Sequence, residues 1–396
     1  MKYDFTTIHD RIGRDAIAVE NPPAQPGEGF DLIPMWVADM NFSTAPAVTD
    51  AIRSRLDHTL FGYFNPRREY FDAIMNWQKT RNGAEDLTDS CIGYQNGVLG
   101  GVVSALNAFR PHDNKVLIHA PTYTGFTGSV TNAGYTLIRS FLKPDENGIW
   151  RMDIADMEAK IVEHGITAAV FCSPHNPCGR VWEKREIEEA MALFEKYGVK
   201  VVSDEIWSDI ILSGHKHIPT QSVSEYAKQN TAAMYAITKT FNLAGLVGAY
   251  HIIYNPELRE SVAQAASRSH HNNMNVLSMY GLIGAYSAEG AEWLDELREV
   301  LTENVKYACR YIRGHFDGVQ VQEPEGTYMI FPDCREWCEK NDRTMDELCR
   351  AAWDCGVALQ DGRPFHGEYS LRINVALPLS RLKEAFERLD KYVFNK

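Results

Sequence analysis

Residues 235–246 read Tyr235-Ala-Ile-Thr-Lys-Thr-Phe-Asn-Leu-Ala-Gly-Leu246. The apolar run from Ala232 to Thr238 predicts a short buried strand that ends on Lys239. Gly245 allows the backbone to turn tightly before the next apolar run. A lysine at the rim of a buried sheet is poorly solvated, which lowers its pKa and makes its amine a usable nucleophile and base. The stretch therefore indicates Schiff-base chemistry at Lys239, with a solvated lysine at a strand end as the alternative.

Length and composition narrow the class of protein. A chain of 396 residues is too long for one ordinary core, so we expect two structural domains. With 44% hydrophobic and 23% charged residues the composition is that of a soluble globular protein. The net charge of −13 disfavours nucleic acid and anionic membrane surfaces as partners. The sequence has no apolar run long enough to span a membrane and no apolar core of a signal peptide, so we expect a cytoplasmic location.

The eight cysteines are scattered along the chain, which favours reduced thiols over a disulfide framework. Cys334 and Cys338 are close in sequence, and so are His215 and His217. Neither pair forms a paired zinc-ligand pattern, so we predict no metal site.

A glycine turn between a strand and a helix marks a candidate anion site. Ile92-Gly-Tyr94 reads as a strand end, Gln95-Asn-Gly97 as a turn, and 98–109 as a helix with one apolar face. The free N–H groups and the positive dipole end of such a helix favour a phosphate. The alternative is a turn that binds nothing, because most turns of this kind bind no ligand.

The middle of the chain alternates between strands and helices. This alternation predicts a parallel sheet with helices on both faces, an α/β fold whose ligands lie at the carboxyl ends of the strands. The predicted strands are Lys115–Ala120, Thr167–Ser173 and Val199–Ser203, with a helix over Lys184–Tyr197.

Chemically reactive or polar residues follow each of these strands. The segments are Pro121-Thr-Tyr123, Ser173-Pro-His-Asn-Pro-Cys-Gly-Arg180, Asp204-Glu-Ile-Trp207 and, after the fourth strand, Lys239. Packing alone does not explain such residues after every strand. We therefore expect them to converge on one ligand.

The flanking regions differ in character from the middle. Pro46 predicts a helix start with Thr44 as its cap. From about residue 285, charged helices precede short strands around 319–322 and 327–332. We predict a large domain of residues 46–284 and a small α+β domain formed by residues 1–45 and 285–396.

Several motifs resemble those of the aminotransferase-like, fold type I enzymes that use pyridoxal 5′-phosphate (PLP), from about Leu32 to Pro378. Within that group the sequence is most similar to the MalY/PatB-type cystathionine β-lyases, or C–S lyases. The resemblance implies a large domain with a mostly parallel sheet covered by helices, plus a smaller α+β domain. The motifs are Pro34-Met-Trp-Val-Ala-Asp-Met40 with Phe42, His175-Asn-Pro-Cys-Gly-Arg-Val-Trp182, Asp204-Glu-Ile206 and Lys239-Thr-Phe-Asn-Leu-Ala-Gly245.

The resemblance assigns cofactor roles to particular residues. Lys239 would bind PLP covalently and then remove the Cα proton of the substrate, and Asp204 would keep the pyridine nitrogen protonated. The other roles implied are Asn176 at the ring oxygen, Tyr123 stacked on the ring, the N–H groups of Val98 and Leu99 and the side chain of Thr238 at the phosphate, Trp207 beside the cofactor, and Tyr63 reaching the phosphate of the neighbouring subunit in a homodimer. The alternatives are a helix cap for Asp204, an Asn-Pro turn for Asn176 and a core aromatic for Tyr123.

The resemblance also places the substrate. Arg372 lies inside an apolar strand, where an arginine is costly unless it is paired. Its guanidinium would bind the α-carboxylate of the substrate in a bidentate manner, with a structural ion pair as the alternative. Asn176 and residues 37–41, which include Val37 and Asp39, would line the substrate side.

Four positions depart from the family pattern. Ala236 and Val247 stand where a phosphate-binding serine and arginine are frequent, so backbone N–H groups, Thr238 and Tyr63 would have to meet the phosphate charge. Trp207 replaces a histidine or tyrosine, and Asn41 replaces a frequent aspartate. These changes surround the substrate, which makes PLP binding a firmer prediction than the identity of the substrate.

The sequence thus predicts a PLP-dependent C–S lyase that eliminates a thiol from L-cysteine S-conjugates such as cystathionine and yields pyruvate and ammonia. An aminotransferase with the same cofactor is the first alternative, because it needs the same Lys239, Asp204 and Arg372. A regulatory binding protein with PLP as a structural cofactor is the second alternative, and the departures at Trp207 and Asn41 would fit lost activity.

Overall fold

A computed structural model describes residues 1–395 of the chain. The α-helices are α1 (Ile17–Glu20), α2 (Pro46–Leu56), α3 (Arg68–Asn82), α4 (Val98–Phe109), α5 (Thr124–Asn132), α6 (Ile154–His164), α7 (Lys184–Tyr197), α8 (Glu225–Asn230), α9 (Ile237–Thr240), α10 (Pro256–Arg268), α11 (Val276–Ala285), α12 (Ala288–His315), α13 (Arg335–Lys340), α14 (Met345–Asp354) and α15 (Leu379–Leu389). The strands are β1 (Ile33–Pro34), β2 (Ile92–Gln95), β3 (Lys115–Ala120), β4 (Thr136–Phe141), β5 (Lys143–Pro144), β6 (Trp150–Arg151), β7 (Ala168–Cys172), β8 (Lys200–Asp204), β9 (Thr231–Tyr235), β10 (Ala249–Ile252), β11 (Met329–Ile330), β12 (Val357–Ala358), β13 (Gln360–Asp361) and β14 (Leu371–Asn374).

A seven-stranded sheet organises the middle of the chain in the order β2-β10-β9-β8-β7-β3-β4. All neighbours pair in parallel except β10, which is antiparallel to both β2 and β9. Cys172 pairs with Asp204, and Asp204 pairs with Met234, so the carboxyl ends of three adjacent strands lie level. The predicted α/β fold with a mostly parallel sheet is confirmed.

Both faces of this sheet are buried. On one face, side chains of the central strands pack with those of α4, including Val102 and Leu106. On the other face, Phe171 and Val201 pack with α7 residues such as Ile187. Burial on both sides explains why these strands are mostly apolar instead of alternating between apolar and polar residues.

The remaining strands form small sheets around the C-terminal helices. β11, β14 and β13 form a three-stranded sheet, and β1 pairs in parallel with β12. The N-terminal residues therefore contact the C-terminal part of the chain, as the predicted small domain requires, although the domain boundaries stay a prediction. Within residues 1–395, no helix is both long and apolar enough to cross a membrane.

Three local predictions were wrong. β9 ends at Tyr235 because its neighbour β8 ends at Asp204, opposite Met234, and the chain then enters the one-turn helix α9 that carries Lys239. The N-terminal cap of α2 is Ala45, not Thr44. Residues 319–322 form no strand but only an isolated bridge, Gln320 to Asp333.

An irregular segment, residues 36–42, runs beside Lys239, and its backbone carbonyl groups are bound by side chains from distant parts of the chain. A segment without helix or strand must satisfy its buried polar groups in this way. The donors are Arg372 to the carbonyl of Trp36, Asn374 to those of Val37 and Asp39, Lys239 and Tyr328 to that of Ala38, and Asn242 to those of Met40 and Phe42.

Replacing Asn374 by alanine should destabilise the fold, because it leaves two carbonyl groups of this segment without a donor. We expect the variant to lose about 2–4 kcal/mol of unfolding free energy, seen as a lower melting temperature in scanning calorimetry. The exposed Asn273 provides a matched control, and Asn273→Ala should change stability by less than about 0.5 kcal/mol. Equal melting temperatures for the two variants would contradict the assigned role.

Candidate active site

Lys239 occupies the centre of the site. Its Nζ donates a hydrogen bond to the carbonyl of Ala38 at 2.9 Å. Burial and the nearby guanidinium of Arg372 lower the pKa of Lys239 to about 8, against the opposing charges of Asp39 and Asp204. The amine is therefore a free base in a substantial fraction of molecules near neutral pH, as a nucleophile or base requires.

Asp204 is the last residue of β8, and its side chain is 4% exposed. Burial raises the pKa of this carboxyl group to about 7, although the N–H of Ile206 donates to Oδ1 at 3.0 Å and Lys239 acts in the opposite direction. Among residues 1–395 we find no salt-bridge partner for it. Such a carboxyl group would gain most from a cationic partner supplied by a ligand.

The first turn of α4 contributes backbone donors. Gly97 precedes the helix with φ of 80°, a conformation that glycine adopts without strain. The first helical hydrogen bond runs from the N–H of Gly101 to the carbonyl of Gly97, so the N–H groups of Val98 and Leu99 have no partner within the helix. These N–H groups and the helix dipole could hold an anion, and the phosphate site stays a prediction.

Arg372 lies on β14 and is 3% exposed. Its guanidinium donates to the carbonyl of Trp36 at 3.1 Å, approaches Oδ1 of Asn176 at 3.5 Å, and stacks 4.6 Å from the ring of Phe365. Burial lowers its pKa to about 10, and its Nε atom has no partner among the described residues. No carboxylate of the described chain forms an ion pair with it, which disfavours the structural ion pair and favours an external anion.

Tyr123 and Asn176 lie in the wall of the cavity that contains Lys239 and Asp204. Tyr123 precedes α5 directly, and its ring meets Phe126 edge-on at 5.6 Å. Burial raises the pKa of its hydroxyl group, so this group stays protonated and can donate a hydrogen bond. Asn176 is 4% exposed and connects the wall to Arg372.

A cavity of about 310 Å³ joins most of these groups. Eight predicted site residues line it: Val98, Leu99, Tyr123, Asn176, Asp204, Trp207, Thr238 and Lys239. Ala38, which belongs to the segment 37–41 predicted for the substrate side, also lines it. The lining residues without a predicted role are Asn96, Gly97, Gly100, Cys172, Ile206, Ala244 and Val247. The convergence of strand ends that the sequence predicted is therefore present in the structure.

The other predicted site residues lie outside the cavity lining. Val37 and Asp39 flank Ala38, and Arg372 reaches the wall through Asn176. Tyr63 is fully exposed on the loop between α2 and α3. Tyr63 therefore does not contact the site of its own chain.

Sequence reasoning missed one residue beside Lys239, which is Tyr328, and it gave no structural role to Val247 in the cavity wall. Tyr328 is fully buried, and its hydroxyl group donates to the same Ala38 carbonyl at 3.1 Å. Its ring meets Trp207 edge-on at 4.7 Å. Val247 has φ of 63°, an uncommon conformation for a β-branched residue, at the wall nearest Gly97. No sequence signal singled out Tyr328, whereas the missing arginine at 247 had already marked that position.

Comparison with known proteins agrees with this arrangement. The sequence model of the family described as aminotransferase class I and II matches residues 31–389. The chain belongs to this family.

Two curated relatives and one solved structure are similar to this member of the aminotransferase class I and II family over almost their whole length. Cystathionine beta-lyase PatB of Bacillus subtilis is 30% identical over 391 residues, 98% of each chain. Protein MalY of Escherichia coli is 30% identical over 386 residues, 96% of each chain. A PLP-bound C–S lyase from Staphylococcus hominis superposes with a TM-score of 0.88 at 28% identity, covering 100% of both chains. The predicted resemblance and the fold type I architecture are confirmed.

The lowered pKa of Lys239 can be measured directly. We expect the rate of acylation of Lys239 in the cofactor-free protein to rise with pH through a midpoint of about 8, well below the roughly 10.4 of an ordinary lysine. Mass spectrometry of peptides after brief labelling measures this rate residue by residue. The exposed Lys184 in the same digest controls for reagent decay, and a Lys239 midpoint above pH 10 would contradict the described burial.

Proposed function

We propose that this chain is a PLP-dependent C–S lyase that performs α,β-elimination on L-cysteine S-conjugates and releases pyruvate, ammonia and a thiol. The observation that carries the proposal is the single cavity in which Lys239, Asp204 and the first turn of α4 converge. The names of the relatives point to the same chemistry. The site residues keep the roles predicted for them as part of this proposal.

The donor set fits PLP. The N–H groups of Val98 and Leu99 suit its phosphate, and the raised pKa of Asp204 marks a carboxyl group that a ring nitrogen cation would stabilise. The wall that Tyr123 forms suits a flat aromatic ring. The residues that would hold PLP are Val98, Leu99, Tyr123, Asn176, Asp204, Trp207, Thr238 and Lys239. When bound, PLP supplies an electron sink for the negative charge that develops at the substrate Cα.

The amine of Lys239 supplies the base for the reaction. Its pKa of about 8 lets Nζ accept the Cα proton near neutral pH. The carbonyl of Ala38, 2.9 Å away, then holds the resulting ammonium group and keeps it near the substrate. The electron pair left at Cα forms a Cα–Cβ double bond as the Cβ–S bond breaks and the thiolate leaves. Water then hydrolyses the released enamine to pyruvate and ammonia.

Arg372 orients the substrate. A buried guanidinium with a free Nε can replace its bond to the Trp36 carbonyl by two charge-assisted bonds to the α-carboxylate. Two bonds to a carboxylate, in which donor and acceptor are both charged, are stronger than one bond to a neutral carbonyl, so substrate binding is favoured over the ligand-free arrangement. The bound carboxylate fixes the Cα–H bond relative to Lys239, while Asn176, Val37 and Asp39 flank the substrate.

The proposal includes a homodimer. Leu60, Phe61 and Tyr63 are exposed on one loop, and Val247 at the cavity wall is 45% exposed. A large exposed apolar patch marks an interaction surface. A second copy of the chain would cover the loop and bring Tyr63 to the phosphate of its neighbour, where the family arginine is replaced by Val247.

The proposal also includes a cytoplasmic location. All eight cysteines are free thiols, and seven of them are buried. A chain with this many reduced thiols fits a reducing compartment.

Purified protein incubated with PLP should show a visible absorbance band that the Lys239→Ala variant lacks. With cystathionine or another cysteine conjugate, it should release thiol and pyruvate without any keto-acid acceptor. We expect Lys239→Ala to lower kcat by at least about 1,000-fold, because both the cofactor bond and the base are lost. Turnover that requires a keto acid would instead identify an aminotransferase, and absence of the band would contradict PLP binding.

Replacing the guanidinium of Arg372 by the ammonium group of lysine should weaken substrate binding more than it lowers kcat. Because lysine cannot form the bidentate contact, we expect Arg372→Lys to raise KM about 10- to 100-fold, a loss of about 1.4–2.7 kcal/mol. Steady-state thiol release measures kcat and KM separately. Arg335→Lys, at an exposed ion pair with Glu368, is the matched control. An unchanged KM in Arg372→Lys would exclude the carboxylate role.

A further inference from the structure

A segment near the N-terminus covers the substrate side. We call residues 6–17 the strap, since it runs between two buried residues, Phe5 and Ala18. Every residue of the strap is exposed except Arg11 and Ala16. The strap therefore has little apolar burial to hold it, and specific polar contacts must position it.

Arg11 provides the strongest of these contacts. Its Nη2 lies 2.6 Å from Oδ2 of Asp39, and its Nη1 lies 3.3 Å from both Oδ1 of Asp39 and Oδ1 of Asn41. The pair is a bidentate fork, with side chains only 20% and 22% exposed. The strap thus carries a cation to the segment whose carbonyl groups bind Lys239 and Arg372.

The carboxylate of Asp39 acts on the site. Its charge raises the pKa of both Lys239 and Tyr328, so its field reaches the amine and the buried hydroxyl group. The other charged groups that act on Lys239 are Arg372 and Asp204. A bare carboxylate at this position would repel the α-carboxylate that Arg372 attracts.

We propose that Arg11 is a positioning residue of the substrate site, which neutralises Asp39 and thereby preserves the attraction between Arg372 and the substrate carboxylate. This inference rests on the proposed function. Arg11 does not line the cavity, and it acts through Asp39, with Asn41 as its second contact. The strap is thus a functional part of the site, because it supplies the positive charge of Arg11 and does not form a surface that contacts the substrate.

The alternative is a structural ion pair, which would fix the strap without affecting the chemistry. The two roles differ in one consequence. If Arg11 acts by masking charge, its removal raises KM only while Asp39 keeps its charge, so the KM of Arg11→Gln should exceed the KM of Asp39→Asn and of the double variant. A structural pair is broken equally in all three variants, which would then share the same KM.

A double-mutant cycle of Arg11→Gln and Asp39→Asn separates these roles. In Arg11→Gln we expect KM to rise about 3- to 10-fold with kcat nearly constant, because Asp39 becomes an unmasked like charge near the substrate. In Asp39→Asn and in the double variant, KM should lie about 3- to 10-fold below the Arg11→Gln value, whereas a structural pair would give all three variants the same KM. Arg53→Gln is the charge-matched control, since Arg53 pairs with Asp50 at 2.9 Å on the exposed face of α2.

The pH titration of the visible cofactor band gives a readout that does not depend on turnover. An unmasked Asp39 favours the protonated amine, so the midpoint should rise by about half a unit to one unit in Arg11→Gln and return in the double variant. A raised KM that persists in the double variant, or an unshifted midpoint in Arg11→Gln, would overturn the proposal. Absence of any visible band in the unmodified protein would instead contradict the proposed function, and circular dichroism verifies that each variant is folded.

Discussion

The site depends on one constraint, which is that the carbonyl groups of residues 36–42 need donors from elsewhere in the chain. Two of these donors are the groups to which we assign the base and the carboxylate-binding role in the proposed reaction, Lys239 at the Ala38 carbonyl and Arg372 at the Trp36 carbonyl. A backbone carbonyl is a neutral acceptor, so it holds a cation in place without cancelling its charge. Structural support and reactivity are therefore combined in the same bonds, and the amides Asn242 and Asn374 fix the rest of the segment so that these two acceptors stay in position.

The same logic explains why Arg372 lacks an acidic partner. An uncompensated buried charge costs about 3–5 kcal/mol relative to a paired one, so a chain that only had to fold would gain by supplying a carboxylate. Asp39 is near enough to act on Lys239, yet its fork is directed to Arg11 and not to Arg372. The guanidinium therefore stays available to an anion from solution. An anion that binds there would stabilise the folded chain, which compensates for the missing internal partner.

The sequence predicted the parts of this arrangement that depend on local pattern. α4, α7 and β3 begin and end where their apolar patterns indicated, and the residues after successive strands share one cavity because parallel strands point the same way. Long-range partners were not predictable from pattern alone. Tyr328 reaches Ala38 across 290 residues and Arg11 reaches Asp39 across 28, and neither side chain lies in a motif. The end of β9 was misplaced because the apolar run continues into α9, and only the end of its neighbour β8 stops the pairing.

Val247 stands where the family often has a phosphate-binding arginine, so this chain needs another way to bind a phosphate. A β-branched residue with φ of 63° is strained by about 1–3 kcal/mol, and the strain places a short apolar side chain against Gly97 instead of a long cation. The anion site then consists mainly of the unpaired N–H groups and the dipole of α4. Backbone donors do not titrate, so this part of the proposed anion site keeps its donors across the range in which Lys239 and Asp204 change their protonation. Lys239 and Asp204 are then left for the roles proposed for them, Lys239 as amine and base and Asp204 as the partner of the ring nitrogen.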